Sequence, residues 1–230
     1  TASTNDDVRE IALKGVQQVL VTSVRQTQGR GQRQRQWVSP EGNIYLSTLL
    51  NTRTTIDGRL ALEIALNILQ MPSLQQLDLQ VKWPNDLYST QGKWGGILIE
   101  PLNAHQVVVG VGINVLPLPK EGMDQAVTSL TELGLHHFDR IQLTAELYLA
   151  IQQAGEWFNH DSCNLAARFN HYAAFKNEAV ELEHHQGVSQ GTFLGIRNDG
   201  SIEISTAQGV ENFFQGRLRR VAQPIKSSKP

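Results

Sequence analysis

Cysteine is nearly missing from this chain: Cys163 is the only one among 230 residues. That excludes an internal disulfide and a multi-cysteine zinc site, and it suits a reducing compartment. Leu165, Ala166 and Phe169 follow Cys163 in a helical-looking stretch, so the thiol is expected in the core. The adjacent pairs His136-His137 and His184-His185 lack the spacing that sets two rings on one helix face for a metal, and read as loop or surface residues. Charge of one sign is also missing. A net charge of -2 gives no global pull toward nucleic acid or an anionic membrane, so neither is an expected partner. No apolar run reaches the length of a membrane span and no basic-then-apolar leader opens the chain, which predicts a cytoplasmic location. The start at Thr1-Ala2-Ser3, without methionine, suggests a trimmed chain or a fragment. Repeats and low-complexity segments are absent apart from a short Pro/Lys/Ser end at Pro224 to Pro230. An apolar content of 40% over this length can bury one good core and leave room for a small appended module.

What is present alternates between helix and strand patterns, so the fold class is α/β. Asn5 to Lys14 reads as a helix closing at Gly15, Val19 to Val24 and Ile44 to Leu50 as strands, and Leu60 to Leu69 as a helix apolar nearly all round. Asp139 with Gln142 resembles a capping signal for a helix through Phe158, whose Leu143, Leu147, Ile151, Ala154 and Phe158 form a core stripe. From about Glu178 the texture changes to short strands, Ala179 to Leu182, Gly191 to Ile196 and Ser201 to Ile204, with Asn198-Asp199-Gly200 as a turn. This suggests a small β-barrel and a boundary near Asn177.

Four segments carry chemistry. Gln26 to Trp37 holds Arg30, Arg33 and Arg35 with Gly29 and Gly31. Glycine allows positive φ and close backbone approach, and arginine supplies forks that match carboxylate and phosphate oxygens. Taken alone, such a loop is more often a solvated basic turn. Lys82-Trp83-Pro84-Asn85-Asp86 reads as a strand ending in a turn, which would display Lys82 and Asp86 where scaffolds place catalytic groups; a surface ion pair is the plainer reading. Lys93 to Glu100 and Val107 to Asn114 read as buried strands carrying Gly95-Gly96 and Gly110/Gly112. Glycine weakens a strand, so these pairs suggest close approach of a ligand or another backbone, with Lys93 and Asn114 flanking one pocket. Ser3-Thr4-Asn5 ahead of a helix reads by itself as an N-cap cluster.

In this order and spacing, Ser3-Thr4-Asn5, Gly29-Arg30-Gly31, Lys82 to Asp86, Lys93 through Gly96-Ile97-Leu98, and Gly112-Ile113-Asn114 resemble the biotin protein ligases, also called biotin–[acetyl-CoA-carboxylase] ligases, nearly end to end. The resemblance implies a catalytic domain over 1–177, related to class II aminoacyl-tRNA synthetases with a mixed sheet and flanking helices. It implies an SH3-like β-barrel over 178–226, and a monofunctional type without an N-terminal helix-turn-helix. It further implies ATP and biotin as substrates, with Mg²⁺ held mainly through the substrate phosphates. Biotin and ATP give biotinyl-5′-AMP, and a lysine of the biotin carboxyl carrier protein then accepts biotin. Catalysis is implied for Lys93, Arg30 and Asp86. Biotin contacts are implied for Ser3, Thr4, Asn5, Gln26, Gly29, Arg30, Gly31, Lys93 and Gly96, and adenylate contacts for Arg30, Arg33, Trp37, Lys82, Lys93 and Asn114. Trp37 would pack on adenine, its alternative being a core residue at the loop base. A homodimer is implied by analogy only.

The chain departs from the family's Gly-Arg-Gly-Arg-x-Gly loop at Gln32, where a second arginine belongs, and at Gln34, where glycine is usual. A looser hold on the acyl-adenylate is expected unless Arg33 or Arg35 supplies the charge. The rival readings are a lipoate ligase or octanoyltransferase of the same superfamily, and a non-catalytic biotin sensor.

Overall fold

A computed structural model describes residues 1–221. The last five residues of the expected 178–226 unit and the Pro224 to Pro230 end lie outside the described residues.

Six strands form the first sheet: β1 (Leu20–Ser23), β2 (Ile44–Asn51), β3 (Gln80–Lys82), β4 (Asp86–Ser89), β5 (Gly92–Pro101) and β6 (Gln106–Ile113), in the spatial order β1-β2-β6-β5-β4-β3. All of its ladders are antiparallel. Of the expected mixed pairing, the described residues show only isolated parallel bridges, Val81 with Ala173 and Lys93 with Val127.

Helices cover both faces, which is why the central strands read as nearly continuous apolar runs. Period-two alternation sorts their residues. Leu46, Leu50, Val107, Val109, Val111 and Ile113 join the main core under α2 (Arg59–Leu69) and α3 (Arg140–Asn159), whereas Leu49 and Val108 meet Val8 of α1 (Thr4–Leu13). α2 is apolar nearly all round because it lies against both the sheet and α3, with Leu60, Leu62, Ile64 and Ile68 almost fully buried. Its one buried acid, Glu63, takes Nη1 and Nη2 of Arg168 on α4 (Leu165–Tyr172). α3 begins as expected: Asp139 Oδ1 accepts the amide N–H of Ile141 at 2.7 Å, although Gln142 turns to Glu146 instead of closing a capping box.

Cys163 contradicts the core expectation and is exposed. The helix it was expected to join starts only at Leu165, because Asp161, Ser162 and Asn164 hold φ of 58°, 48° and 53° and form a turn instead.

The second sheet contains β7 (Ala179–His184), β8 (Gly187–Ile196), β9 (Ile202–Thr206), β10 (Gly209–Phe213) and β11 (Arg217–Arg220), antiparallel in the order β10-β9-β8-β7-β11. Its inward residues Val180, Leu182, Phe193, Ile204 and Leu218 continue the main core. The β8–β9 turn packs on the first sheet's motif: Trp83 Nε1 donates to the carbonyl of Gly200 at 3.1 Å.

Candidate active site

The loop from Gln26 to Trp37, the start of α1, the glycine strands β5 and β6, the Lys82–Asp86 turn and β11 of the second sheet line one cleft.

Its floor is made by glycine. Gly96 and Gly112 are register partners on the same face, with Gly110 two residues along β6. The Trp37 indole lies on them: a Cβ on Gly112 would sit 2.6 Å from Trp37 Cε2 and Nε1, and one on Gly96 would sit 3.2 Å from Cζ3. Asn5 occupies the space over Gly110 in the same way. The close approach expected of these glycines is therefore real, and the groups that approach are the chain's own side chains. Trp37 Nε1 is buried without a hydrogen-bond partner among the described residues. A buried N–H without an acceptor is costly, and this one lies against the backbone at Gly112.

A hydrogen-bonded chain flanks the floor. Gln26 Oε1 accepts the Thr4 amide at 2.9 Å, and Thr4 Oγ1 lies 2.6 Å from Ser47 Oγ. Ser47 donates to Asn5 Oδ1 at 2.6 Å, and Asn5 Nδ2 donates to Glu100 Oε2 at 2.7 Å. Ser3 occupies the N-cap position of α1 but makes no capping side-chain bond, so the cap reading of Ser-Thr-Asn gives way to this network. Ser47 was missed in the sequence. Its signal is that, one residue out of step with the core positions Leu46 and Thr48, it faces the cleft side of β2.

Arg30 is fully engaged. Nη1 and Nη2 reach Asp6 at 2.8 and 2.6 Å, Nε and Nη2 reach Glu100 at 3.1 Å each, and Nη1 reaches Ser3 Oγ at 3.2 Å. Two carboxylates thus hold the guanidinium that was expected to clamp a ligand anion. The loop's positive φ angles also fall elsewhere than on its glycines: Gly31 has φ -114°, whereas Arg33 and Gln34 have 56° and 60°. Gln34 occupies the position where glycine is usual, and its left-handed backbone explains that preference. Gly29 is needed for packing, since a Cβ there would lie 2.7 Å from Ser39 Oγ and from the Trp37 carbonyl oxygen. Arg33 points to Glu183 of β7 at 3.8 Å.

The charged centre is Lys82–Asp86–Lys93. Asp86 Oδ1 lies 2.5 Å from Lys93 Nζ and Oδ2 lies 3.2 Å from Lys82 Nζ, which also donates to Gln125 Oε1 at 2.6 Å. Lys93 Nζ sits 5.0 Å from the Trp37 ring centroid. Burial would raise the Asp86 carboxyl, but the charges of Lys93 and Lys82 outweigh it and hold the group below its ordinary value. Burial lowers Lys82 despite Asp86, and repulsion from Lys93 and Arg217 adds to that. The backbone fixes the array: Lys82 and Asp86 pair as the last and first residues of β3 and β4, and Asn85 Nδ2 ties the turn to the Ile97 carbonyl at 2.6 Å. Lys93 is pinned by Ala126 and Thr128 through bonds of 2.9 Å each. Asn114 lines the cleft and donates to the Thr128 carbonyl at 3.1 Å.

A buried and a partly buried lysine sharing one carboxylate beside a glycine floor and a polar network define an enzyme site suited to a small ligand that carries anionic groups. Residues 2–114 match the biotin/lipoate A/B protein ligase family. The biotin–[acetyl-CoA-carboxylase] ligase of Mycobacterium tuberculosis is 33% identical over 80% of this chain and 72% of its own length. The bifunctional ligase/repressor BirA of Salmonella typhimurium is 34% identical over 84% of this chain, which spans 63% of that longer protein. The solved biotin protein ligase of Aquifex aeolicus in complex with biotin and ATP superposes with a TM-score of 0.81 at 26% identity, covering 95% of each chain. The chain belongs to the biotin/lipoate A/B protein ligase family, and within it lies among the biotin protein ligases.

Proposed function

We propose that this protein is an ATP-dependent biotin ligase. The observation that carries the reading is Lys93, held by Asp86 at 2.5 Å beside a glycine floor covered by the Trp37 indole. The biotin carboxylate attacks the α-phosphorus of ATP, the α–β anhydride bond breaks, and its electron pair leaves with pyrophosphate. Lys93 neutralises the carboxylate and α-phosphate oxygens as they approach. Ser3, Thr4, Asn5 and Gln26 orient the ureido ring, Gly31 leaves room for the ligand, Gly29 and Gly96 shape the pocket by seating Ser39 and Trp37, and Trp37 and Asn114 hold the adenine. Arg30 anchors the loop to α1 and β5, and reaches the ligand's anionic groups only by leaving Asp6 or Glu100. Arg33 is directed at Glu183, so its contribution to the adenylate also depends on breaking an ion pair.

In the second step the acceptor lysine, having given up its ammonium proton to solvent, attacks the acyl carbon with its neutral amine; the C–O bond to the phosphate breaks, its electron pair leaves with AMP, and the amide nitrogen's extra proton passes to solvent. Asp86 is a poor proton acceptor because two lysines hold its carboxyl low; it aligns the incoming ammonium electrostatically. The acceptor is a lysine of the biotin carboxyl carrier protein. Magnesium would bind mainly through the substrate phosphates, with Asp86, an acid of the cleft wall, as the carboxylate that could hold it. The sheet that follows residue 177 is an SH3-like unit packed on a catalytic unit of residues 1–177, with which it shares one core. The β1 edge, where Leu20 is exposed, is the surface for a homodimer.

The test is incubation with biotin, MgATP and a biotin-carrier domain, following pyrophosphate release and carrier mass. A biotin-sized mass gain that disappears in Lys93→Ala is expected. Use of lipoate in place of biotin would move the protein to the sister activity, and biotin binding without pyrophosphate release would make it a sensor.

A further inference from the structure

The polar network beside the glycine floor ends on a pure acceptor at each side, and that fixes the direction of its protons. At one end the Glu100 carboxylate takes Arg30 Nε and Nη2 at 3.1 Å each and Asn5 Nδ2 at 2.7 Å, so Asn5 turns Oδ1 to Ser47. Ser47 gives that oxygen its only hydroxyl proton, at 2.6 Å. Thr4 Oγ1 lies 2.6 Å from Ser47 Oγ, a separation that needs a proton between the two oxygens, and Thr4 is left to supply it. At the other end the Trp37 carbonyl accepts Ser39 Oγ at 3.0 Å, so Ser39 accepts Gln26 Nε2 at 3.1 Å, and Gln26 Oε1 faces Thr4. The two runs meet at Thr4 Oγ1 and Gln26 Oε1, 3.1 Å apart, with the Thr4 proton already committed to the shorter contact. Both residues line the cleft, and Thr4 is only 3% exposed, so two acceptors stand side by side in a buried wall.

We propose that Glu100 is a specificity-determining residue: through Asn5 and Ser47 it draws the Thr4 hydroxyl proton away from the ligand, so that Thr4 Oγ1 and Gln26 Oε1 accept an N–H and reject a ring that has none. The proposal rests on the biotin-ligase reading above and assigns part of its selectivity to a carboxylate that acts at a distance of three side chains. A ureido ring carries two N–H groups and satisfies the pair. The dithiolane ring of lipoate carries none, and would leave two buried oxygens facing each other without a donor. Arg30 serves this relay as the partner that keeps position 100 an acceptor. The Glu100→Gln side chain would turn its Oε1 to Arg30 and its Nε2 to Asn5. Asn5 would then flip, Ser47 would accept from Asn5 Nδ2 and donate to Thr4, and the Thr4 proton would fall on Gln26 Oε1. The acceptor pair would close on itself.

The experiment measures, by calorimetry and without nucleotide, how wild type, Glu100→Gln and Ser47→Ala bind biotin and the two carbamate analogues in which one or the other ureido N–H is replaced by an ether oxygen. Wild type is expected to bind one of the analogues about 10- to 100-fold more weakly than biotin, the effect of leaving the acceptor pair without its donor. In both variants that preference is expected to shrink by about 10-fold. Ser47→Ala keeps Glu100 on Arg30 and frees the Thr4 proton for Gln26, so it reads the relay apart from the ion pair. An equal loss of affinity for biotin and both analogues, the mark of a merely structural role, overturns the proposal, and so does an unchanged preference in either variant. Should Glu100→Gln fail to fold, Ser47→Ala decides alone. A wild type that forms biotinyl-AMP but binds biotin and the analogues alike refutes the relay and leaves the ligase reading standing. The full binding pattern in a protein that forms no biotinyl-AMP from ATP does the reverse.

Discussion

Gly112→Ala is the sharpest probe of the site, because it adds one methyl group directly beneath Trp37. The new Cβ would lie 2.6 Å from Trp37 Cε2 and Nε1 and 2.7 Å from Cζ2. Carbon atoms sit comfortably at about 3.5–4.0 Å, so the indole must rise by roughly 1 Å. Overpacking of this kind costs about 1–3 kcal/mol, and in a domain of this size each kcal/mol lowers Tm by about 2–4 °C, so a fall of roughly 2–12 °C is expected. The catalytic effect should be larger than the thermal one. Lys93 Nζ stands 5.0 Å from the indole centroid, and a misplacement of about 1 Å in a reacting constellation costs on the order of 100-fold in rate. The assay is biotin-dependent pyrophosphate release alongside thermal unfolding. Gly58→Ala is the control, since an added Cβ there meets nothing within 4 Å, and it should stay within about 0.5 kcal/mol of wild type. In a Trp37→Leu background the added cost of Gly112→Ala should shrink, because the clashing ring is gone. Wild-type activity and Tm in the single variant, or an undiminished cost in the double one, would refute the seating of Trp37 on the glycine floor.

Other outcomes follow from the same contacts. Arg168→Met leaves Glu63, whose side chain is 0% exposed, buried without its cation, and should cost about 3–5 kcal/mol in denaturant unfolding with the site's ligand affinities unchanged; a cost below about 1 kcal/mol would contradict the pairing. Asp86 and Asp6 both have folded-state values held below their ordinary 3.8, so the stability they add is fully present above about pH 3.8 and is lost as pH falls through the lower folded values. Thermal unfolding from pH 7 to pH 2 should therefore show a plateau and then an acid limb, and Asp86→Asn should flatten that limb; an unaltered limb tells against Asp86. Gln34→Gly removes a side chain from a residue at φ 60° and should stabilise the protein by about 1 kcal/mol, read as a higher Tm, whereas Gln34→Ala should not. Gln32→Arg is expected to reduce leakage of biotinyl-AMP from the enzyme, measured by trapping the free adenylate, and equal leakage would dismiss the idea that Gln32 loosens the loop.

The parts of the site that could be read in advance are those whose meaning is local. Gly95-Gly96 and Gly110/Gly112 stand out because glycine breaks an otherwise apolar strand, and Lys82 and Asp86 bracket a proline turn whose geometry follows from a few bonds. The parts that could not be read depend on pairings across long stretches of chain. Asp6 and Glu100 are ordinary acids until the fold brings both to Arg30, and Ser47 is one polar residue inside an apolar strand until Thr4 and Asn5 reach it. β11 escaped notice for a different reason. Its four residues include three arginines, and Leu218 is its one buried side chain, so it carries no hydrophobic alternation to recognise. Its neighbour relations alone make it a strand.

The same separation runs through the Lys-Trp-Pro-Asn-Asp motif itself. Lys82 and Asp86 face the cleft, while Trp83 turns into the core, 2% exposed, and its indole N–H reaches the β8–β9 turn of the second sheet at Gly200. A single short motif thus displays charge on one side and holds the other sheet on the opposite side. Asn170 on α4 reinforces that junction by accepting the Ile196 amide at 2.8 Å and donating to its carbonyl at 3.0 Å. Through β7 and its ladder to β11, the sheet fixed at Trp83 is the one that carries Arg217 to the cleft wall. The residues that orient Lys82 and the residues that place Arg217 are therefore mechanically continuous. The Lys82–Asp86 turn and the cation from the second sheet should lose their positions together when the Trp83–Gly200 contact is broken.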